Sequence, residues 1–191
     1  AAPIFSTSGS GPYFTAPTNV PAGTTAITFS ARFRLPALPV TSQIIFTQGN
    51  TGFDVEVLNN GTMRFNVRDG VAVKVLNNTI VSAGVLANVW YDLVCSIDQV
   101  SKNLWVKLNG SVIATVAFTT AGNGQFQSNR ALGFLARGGG TLQFIGDVET
   151  LKVWLSATGT GAEPAAAPFK SLAGPAVSAN ADSWKLGSNA T

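Results

Sequence analysis

Two pairs of acidic residues have a spacing that could support chemistry. Asp54 and Glu56 lie two apart in the segment GFDVE, and Asp147 and Glu149 repeat that spacing later in the chain. In a strand, residues two apart lie on the same face. Two carboxyl groups about 5 to 5.5 Å apart serve a retaining glycosidase, and carboxylate oxygens are also ligands that calcium prefers.

The surrounding sequence favours structural roles for both pairs. The expected hairpin register places Arg64 opposite Glu56, which we interpret as an exposed cross-strand ion pair worth roughly 0.2 to 1 kcal/mol. Asp147 and Glu149 are candidates for a weak calcium site, but no Asp-x-Asp-x-Asp loop accompanies them, and calcium takes roughly six to eight oxygen ligands. We therefore expect no catalytic residue and no cofactor, and we leave open whether calcium binds.

Histidine is absent and cysteine occurs once, which removes several classes of active site. Without histidine the chain lacks the usual general base near neutral pH and the commonest transition-metal ligand. Cys95 alternates with Leu93 and Ile97, so we predict a small buried core residue with no partner for an internal disulfide. An enzymatic role, as a glycan hydrolase or lyase, is therefore the third of the functions considered.

Four residues are candidates for ligand contact. Alternation turns Trp105 outward, where an indole could stack on a sugar ring or be covered by a loop, by the tail or by a neighbouring subunit. Arg137 precedes three glycines in a predicted loop, and loops often carry binding residues. Arg64 and Arg68 lie on the outer face of a predicted strand.

The composition is poor in charge and rich in apolar residues. Charged residues make up 11% of the 191 residues and hydrophobic residues 46%, which suits one large core under a neutral surface of amides and hydroxyls. The net charge is +3, but the 12 basic residues are scattered singly, so we expect no nucleic-acid partner. No apolar run approaches the roughly 20 residues that span a bilayer, so we expect no membrane insertion.

The segment 89–116 gives the strongest indication of the fold. Apolar and polar residues alternate through VWYDLVCSID and again through LWVKL, which is the period of a strand with one buried face. Asn109 and Gly110 follow, and this pair is typical of a two-residue hairpin turn because both central positions need a positive φ. The pattern predicts an antiparallel sheet protein.

A second hairpin can be predicted residue by residue around Asn59, Asn60 and Gly61. A three-residue loop puts apolar residues opposite one another inside and polar residues opposite one another outside. The predicted pairs are Val57 with Met63, Val55 with Phe65, Phe53 with Val67, Glu56 with Arg64, and Asp54 with Asn66. A two-residue loop would oppose apolar Val57 to Arg64 and mix the faces.

Alternation predicts further strands along the rest of the chain. They cover 3–17 as a strand, a turn and a strand, then 27–35, 44–48, 71–76, 80–86, 131–136 and 142–155. We interpret Asn77 and Asn78 as a turn between two of these strands, and the parity slip near Gly146 as a bulge or bend.

The composition shifts to Ala, Gly, Ser and Pro after Leu155. This shift predicts a short helical turn over 163–169, followed by a linker-like tail. The predicted organisation is a β-sandwich domain over 1–170 and a tail over 171–191.

The order of these motifs resembles the laminin-G-like and concanavalin A-like jelly-roll family. The resembling segments are SGPYFTAP, ITFSARFRLP, NVWYDLVCSID with LWVKLNGSVIATV, and FIGDVETLKVW. The resemblance implies two antiparallel sheets packed face to face, with uses that include sugar binding, adhesion, glycan cleavage and structural roles in secreted proteins and virus particles. Some glucanases of this family carry a Glu-x-Asp-x-Glu strand, and here Gly52 stands where their nucleophile would be.

We therefore expect a non-catalytic carbohydrate-recognition or adhesion domain that binds a polysaccharide or a cell-surface glycan. The alternative is a structural module of a virus-like particle or extracellular assembly, in which copies of the chain pack together. The two can coexist in a host-attachment spike. The sequence begins at Ala1 and its one methionine is Met63, so we expect a processed start or a piece of a longer protein. The expected location is extracellular or on a particle surface.

Overall fold

A computed structural model of the chain describes residues 5–6, 13–48, 52–69, 74–119, 123–128, 131–135, 142–173 and 185–187. These residues form strands, turns and irregular segments without a helix, which confirms the all-β expectation. Across these ranges, therefore, there is no helix that could cross a membrane. The strands are β1 (Phe5–Ser6), β2 (Tyr13–Asn19), β3 (Ala26–Arg34), β4 (Gln43–Thr47), β5 (Phe53–Val57), β6 (Met63–Arg68), β7 (Lys74–Val81), β8 (Trp90–Asp98), β9 (Asn103–Leu108), β10 (Ser111–Ala117), β11 (Ala131–Phe134), β12 (Asp147–Trp154), β13 (Lys170–Ala173) and β14 (Lys185–Gly187).

The strands form two antiparallel sheets that enclose one apolar core. Sheet 1 has the order β1-β12-β3-β8-β9-β10, with β13 also paired to β12, and sheet 2 has the order β14-β2-β11-β4-β5-β6-β7. Both sheets contribute fully buried aromatic rings to the core. Phe29 of sheet 1 stacks on Phe46 of sheet 2 with their ring centroids 4.8 Å apart. The predicted two-layer sandwich is confirmed.

The hairpin between β9 and β10 forms at the predicted turn. Asn109 and Gly110 have φ values of 49° and 82°, as the primed turn requires. Ser111 then pairs with Leu108. Along β8 and β9 the predicted inward residues are buried, so the alternation assigned the correct face.

The hairpin between β5 and β6 has the predicted register at all five residue pairs. Gly61 is required there for two reasons. Its φ is +75°, and a Cβ at this position would lie 2.2 Å from the carbonyl oxygen of Val85. A side chain at Gly61 would therefore strain its own backbone and displace the loop before β8.

The prediction of a turn at Asn77 and Asn78 is wrong, because β7 runs through both residues. Asn78 has a φ of 50°, and the pairing of β6 with β7 shifts by a residue at this place. Asparagine tolerates the left-handed conformation, and the Asn78 amide donates to Oδ1 of Asn66 at 2.9 Å. The two asparagines thus form a bulge within one strand.

The irregularity predicted near Gly146 lies slightly further along the chain. The register of β12 against β3 shifts between Val148 and Thr150. Gly146 itself sits in close contact with β3, where a Cβ would lie 2.3 Å from the carbonyl oxygen of Arg34. The strand therefore begins after Gly146 and carries its bulge at Glu149.

The prediction of a helical turn over 163–169 is wrong, since this segment is irregular. Pro164 and Pro168 bracket the three alanines and leave too few residues to complete a helical turn. The segment 155–169 instead runs across the outer face of sheet 1. The Trp154 Nε1 atom donates to the Ala166 carbonyl at 2.8 Å, and the Thr28 hydroxyl donates to the Ser156 carbonyl at 2.6 Å.

The residues of the predicted tail contribute to both sheets. β13 pairs with β12 in sheet 1, and β14 pairs with β2 in sheet 2. The domain boundary near residue 170 stays a prediction.

Candidate functional site

The outer face of sheet 2 carries a row of polar side chains on two neighbouring strands. Arg64, Asn66 and Arg68 of β6 are half-buried, whereas Asp54 and Glu56 of β5 are buried beneath them. We call these five residues the β5–β6 face. They lie together because both strands alternate, with their apolar residues turned to the core.

Hydrogen bonds fix the orientation of these side chains. The Arg64 guanidinium binds the Glu56 carboxylate and donates to the Ser42 hydroxyl at 3.1 Å. The Asn66 amide nitrogen lies 3.5 Å from the second Glu56 oxygen. The Arg64 and Asn66 donors are therefore both held by the Glu56 carboxylate.

The ion pair between Glu56 and Arg64 is present, but the prediction that it is exposed is wrong. The Glu56 side chain is 0% exposed and that of Arg64 is 29% exposed. The alternation of β5 correctly turned Glu56 away from the core, yet the outer face is itself covered at this position. A buried pair has a different energetic role, because loss of one partner leaves an uncompensated charge.

The acidic residues of β5 lack the arrangement of a glycosidase dyad. The Asp54 carboxylate accepts a hydrogen bond from the Thr47 hydroxyl at 2.5 Å, and the Glu56 carboxylate holds Arg64. At the position of the family nucleophile, a Cβ on Gly52 would lie 2.4 Å from the backbone oxygen of Gln48. A carboxylate could not be accommodated there without moving the backbone.

Asp147 and Glu149, the weak calcium candidates, both bind arginines on the outer face of sheet 1. The Arg34 Nε atom donates to Asp147 at 2.8 Å, and the Arg32 Nε atom donates to Glu149. In the described ranges no three His, Cys, Asp or Glu residues come together as a metal site. The structure therefore gives this acidic pair cationic partners within the protein.

The same two arginines lie over the ring of Trp90. Their guanidinium carbons are 5.5 Å (Arg32) and 5.2 Å (Arg34) from its centroid, within the range of a cation–π interaction. Arg32 also binds Asp92 at 2.7 Å, and this hydrogen bond is the main cause that raises the pKa of Arg32. The two arginines, their acidic partners and Trp90 therefore form one network of contacts across β3, β8 and β12.

Trp105, the predicted stacking platform, is half-buried on the outer face of sheet 1. Gly161 of the 155–169 segment lies against it, since a Cβ on Gly161 would be 2.6 Å from the Trp105 Cβ. Of the alternatives left open by the sequence, coverage by a loop is the one that this contact favours. Arg137 lies outside the described residues, so its predicted role stays a prediction.

Cys95 is a core residue, as predicted. It is fully buried and free, and desolvation raises the pKa of its thiol. Because the thiolate is the reactive form, Cys95 is not suited to nucleophilic chemistry in the folded protein.

The sequence interpretation missed three buried polar residues at one end of the sandwich. Gln48, Asp69 and Gln99 are each nearly inaccessible to solvent. A signal was available for Gln99, because it follows Ile97 at a position where alternation expects an apolar side chain.

Comparison with known proteins agrees with this architecture. A laminin-G-type family model, described as the concanavalin A-like lectin/glucanases superfamily, matches residues 8–160. No curated protein sequence matches the chain.

Several solved structures share the fold at low sequence identity. A heptameric SAP-like pentraxin from Limulus polyphemus is 18% identical, with a TM-score of 0.60, over 82% of this chain and 76% of its own. The CBM40 of the Ruminococcus gnavus IT-sialidase, bound to α2,3-sialyllactose, is 16% identical, with a TM-score of 0.57, over 82% and 94%. The K499G mutant of the NanB sialidase from Streptococcus pneumoniae is 17% identical, with a TM-score of 0.56, over 83% and 27%.

These identities establish likeness of fold. The family match covers most of the sequence, and the two antiparallel sheets agree with it independently. The chain therefore belongs to the concanavalin A-like lectin/glucanase superfamily.

Proposed function

We propose that this protein is a non-catalytic carbohydrate-recognition domain that binds its glycan on the β5–β6 face. The observation that carries the proposal is the row of half-buried Arg64, Asn66 and Arg68 side chains, in which Arg64 and Asn66 are both braced by the buried Glu56 carboxylate. A ligand that meets braced donors loses little further side-chain entropy on binding. Sugar hydroxyls accept hydrogen bonds from amide and guanidinium groups of this kind.

The charge of the face indicates the class of glycan. Two arginines are balanced by two carboxylates, Asp54 and Glu56, so the face as a whole is close to neutral. The carboxylates lie underneath, whereas the donor groups lie nearer the surface. We therefore propose a neutral or weakly acidic polysaccharide or cell-surface glycan as the ligand.

The fold relatives support a carbohydrate ligand without identifying it. One of them is a carbohydrate-binding module whose structure contains a sialylated lactose, and its size is close to that of this chain. An extracellular location is part of the same proposal, because cell-surface glycans and polysaccharides are met outside the cell.

A glycan array followed by titration calorimetry tests this proposal. We expect binding to at least one neutral or acidic polysaccharide and a loss of about 10-fold or more in affinity for Arg68→Ala, which corresponds to about 1.4 kcal/mol. Lys107→Ala, on the outer face of sheet 1, is the matched control and should bind as the wild type does.

Two results would contradict the assignment. One is the absence of binding to any glycan by a folded protein. The other is equal affinity for Arg68→Ala and the wild type, which would move the site away from the β5–β6 face.

The second candidate function is assembly of several copies of the chain in a particle or extracellular structure. The favouring observation is β10, which lies at the edge of sheet 1 and has seven residues without a charge, interrupted by one bulge. Val112 in this strand is 50% exposed. Natural edge strands are usually short or charged, because an unprotected edge pairs with another strand. The other edge strands described here, β1, β7, β13 and β14, are either short or contain lysine.

Light scattering over a range of protein concentrations tests the assembly proposal. We expect a dimer or larger oligomer that Val112→Lys dissociates. A strict monomer at high concentration would contradict assembly through this edge and would leave the glycan proposal unaffected.

A further inference from the structure

Five connections between strands lie at one end of the sandwich, and their described residues carry no charge. The strand pairing brings them together, since Arg34 of β3 stands opposite both Trp90 of β8 and Asp147 of β12, and Gln43 of β4 stands opposite Val57 of β5. We call the described residues of these connections the loop end, and they are 35–42, 58–62, 82–89, 109–110 and 142–146. No Asp, Glu, Lys or Arg occurs in any of these five segments.

The loop end also carries exposed apolar side chains. Val40 is 93% exposed and Leu86 is 61% exposed, and Val89 and Ile145 are exposed as well. Among the described connections at the opposite end of the sandwich, Val100 is the one large apolar residue that is exposed. Apolar side chains that are scattered singly are ordinary on a protein surface, whereas their concentration on one surface indicates an interaction site.

Backbone hydrogen bonds hold the connections of the loop end against one another. The Asn88 amide donates to the Leu35 carbonyl at 2.7 Å, and the Val85 amide donates to the Gly61 carbonyl at 3.0 Å. The β7–β8 connection is thereby tied to the β3–β4 and β5–β6 connections. A surface whose backbone is already fixed loses little conformational entropy when a partner docks on it.

The charged residues Arg34 and Asp147, at the ends of the adjoining strands, bind each other. The Arg34 Nε atom donates to the Asp147 carboxylate at 2.8 Å, and the guanidinium carbon lies 5.2 Å from the centroid of the Trp90 ring. Burial of the loop end would therefore desolvate apolar and uncharged polar groups. The core of a protein–protein interface has this composition, because charged residues are depleted there and aromatic residues are enriched at its contacts.

The partner must match an uncharged apolar surface, and a second copy of the chain carries one. A charged surface would lose its hydration here without gaining a counter-charge. A two-fold contact brings the same patch of both copies together, so two uncharged patches meet. The loop end has 28 residues, within the roughly 20 to 30 that each partner contributes to a standard interface.

We propose that two copies of the chain associate end to end through their loop ends, around a two-fold axis, with Val40 and Leu86 among the apolar contacts. This interface is separate from the β5–β6 face and from the pairing edge of β10. Together with the proposed glycan function, the dimer would present two binding faces to one polysaccharide, which raises avidity without a new contact. The association itself does not depend on that function.

Sedimentation velocity of the full chain, in a Val112→Lys background, tests the interface. Val112→Lys blocks pairing along β10 and reduces any larger oligomer joined there to the end-to-end dimer. We expect this parent chain to show a concentration-dependent equilibrium of monomer and dimer. Adding Val40→Asp and Leu86→Asp should weaken the dimer by about 100-fold or more, because the contact would desolvate two carboxylates in each copy.

Val100→Asp in the same background is the matched control. It makes the same substitution at a valine that is 70% exposed at the opposite end of the sandwich, so its dimer should form with the affinity of the parent. Circular dichroism confirms that each variant is folded, as expected for substitutions at exposed positions.

The proposal fails on either of two results. The first is a Val112→Lys chain that stays monomeric up to its solubility limit, and oligomers of the wild type would then be assigned to the β10 edge alone. The second is a dimer that the two aspartates at the loop end weaken no more than Val100→Asp does, which would place the contact on another surface. Both results leave the glycan proposal intact, since the glycan array tests it separately.

Discussion

Phe46→Ala is expected to lower the free energy of unfolding by about 3 to 5 kcal/mol, the usual range for removing a buried phenylalanine. Phe46 is fully buried and lies at the centre of an aromatic cluster. Its ring centroid is 4.8 Å from Phe29, 5.4 Å from Phe53 and 5.8 Å from Phe134. Phe29 belongs to sheet 1 and the other three rings to sheet 2, so the truncation opens a cavity where the two sheets meet.

Urea denaturation followed by tryptophan fluorescence measures this loss. In thermal unfolding, the Tm should fall by roughly 10 °C, since each kcal/mol of lost stability corresponds to about 2 to 4 °C in a chain of this size. Phe46→Leu keeps most of the volume and should cost less than half as much. Ile80→Ala, at a half-exposed position of β7, should change stability by only about 0.5 kcal/mol. Equal costs for Phe46→Ala and Ile80→Ala would contradict the assigned core.

Arg64→Met is expected to destabilise the protein by about 3 to 5 kcal/mol, because it leaves the fully buried Glu56 carboxylate without its cation. The double variant Glu56→Met/Arg64→Met removes both charges and replaces them with apolar side chains. Its stability should return to within about 1 kcal/mol of the wild type, since a buried ion pair can be exchanged for well-packed apolar residues at little cost.

An exposed ion pair provides the matched comparison. Lys152 and Glu163 lie 3.2 Å apart with side chains 35% and 38% exposed, and Lys152→Met should cost less than about 1 kcal/mol. Denaturant titration of all three variants measures the difference. If Arg64→Met and Lys152→Met cost the same, Glu56 is solvated and the brace beneath the β5–β6 face is absent.

The Arg64 prediction also separates stability from binding. The double methionine variant should fold but lose the donor group at position 64, so its glycan affinity should fall even though its stability recovers. Arg68→Ala changes a donor group without touching the Glu56–Arg64 pair, which makes it the better probe of the proposed binding face.

The sequence determined which residues of each strand face the same side. The β5–β6 register was predictable because the loop at Gly61 and the alternation of two short strands are both local properties. The same holds for the turn at Asn109 and Gly110 and for the burial of Cys95. In each case the deciding residues lie within one hairpin.

Only the tertiary structure decided which outward-facing residues are covered, because coverage comes from residues remote in the sequence. The Thr28 hydroxyl is covered by the carbonyl of Ser156, which lies 128 residues away in the chain. Gly161 covers Trp105 in the same way. Glu56 faces outward as the alternation requires and is nevertheless buried. The buried Gln99 side chain follows the same logic, since its Nε2 atom donates to the carbonyl of Arg68, which belongs to the opposite sheet. A period of two assigns a face to each side chain, but it contains no information about what packs against that face.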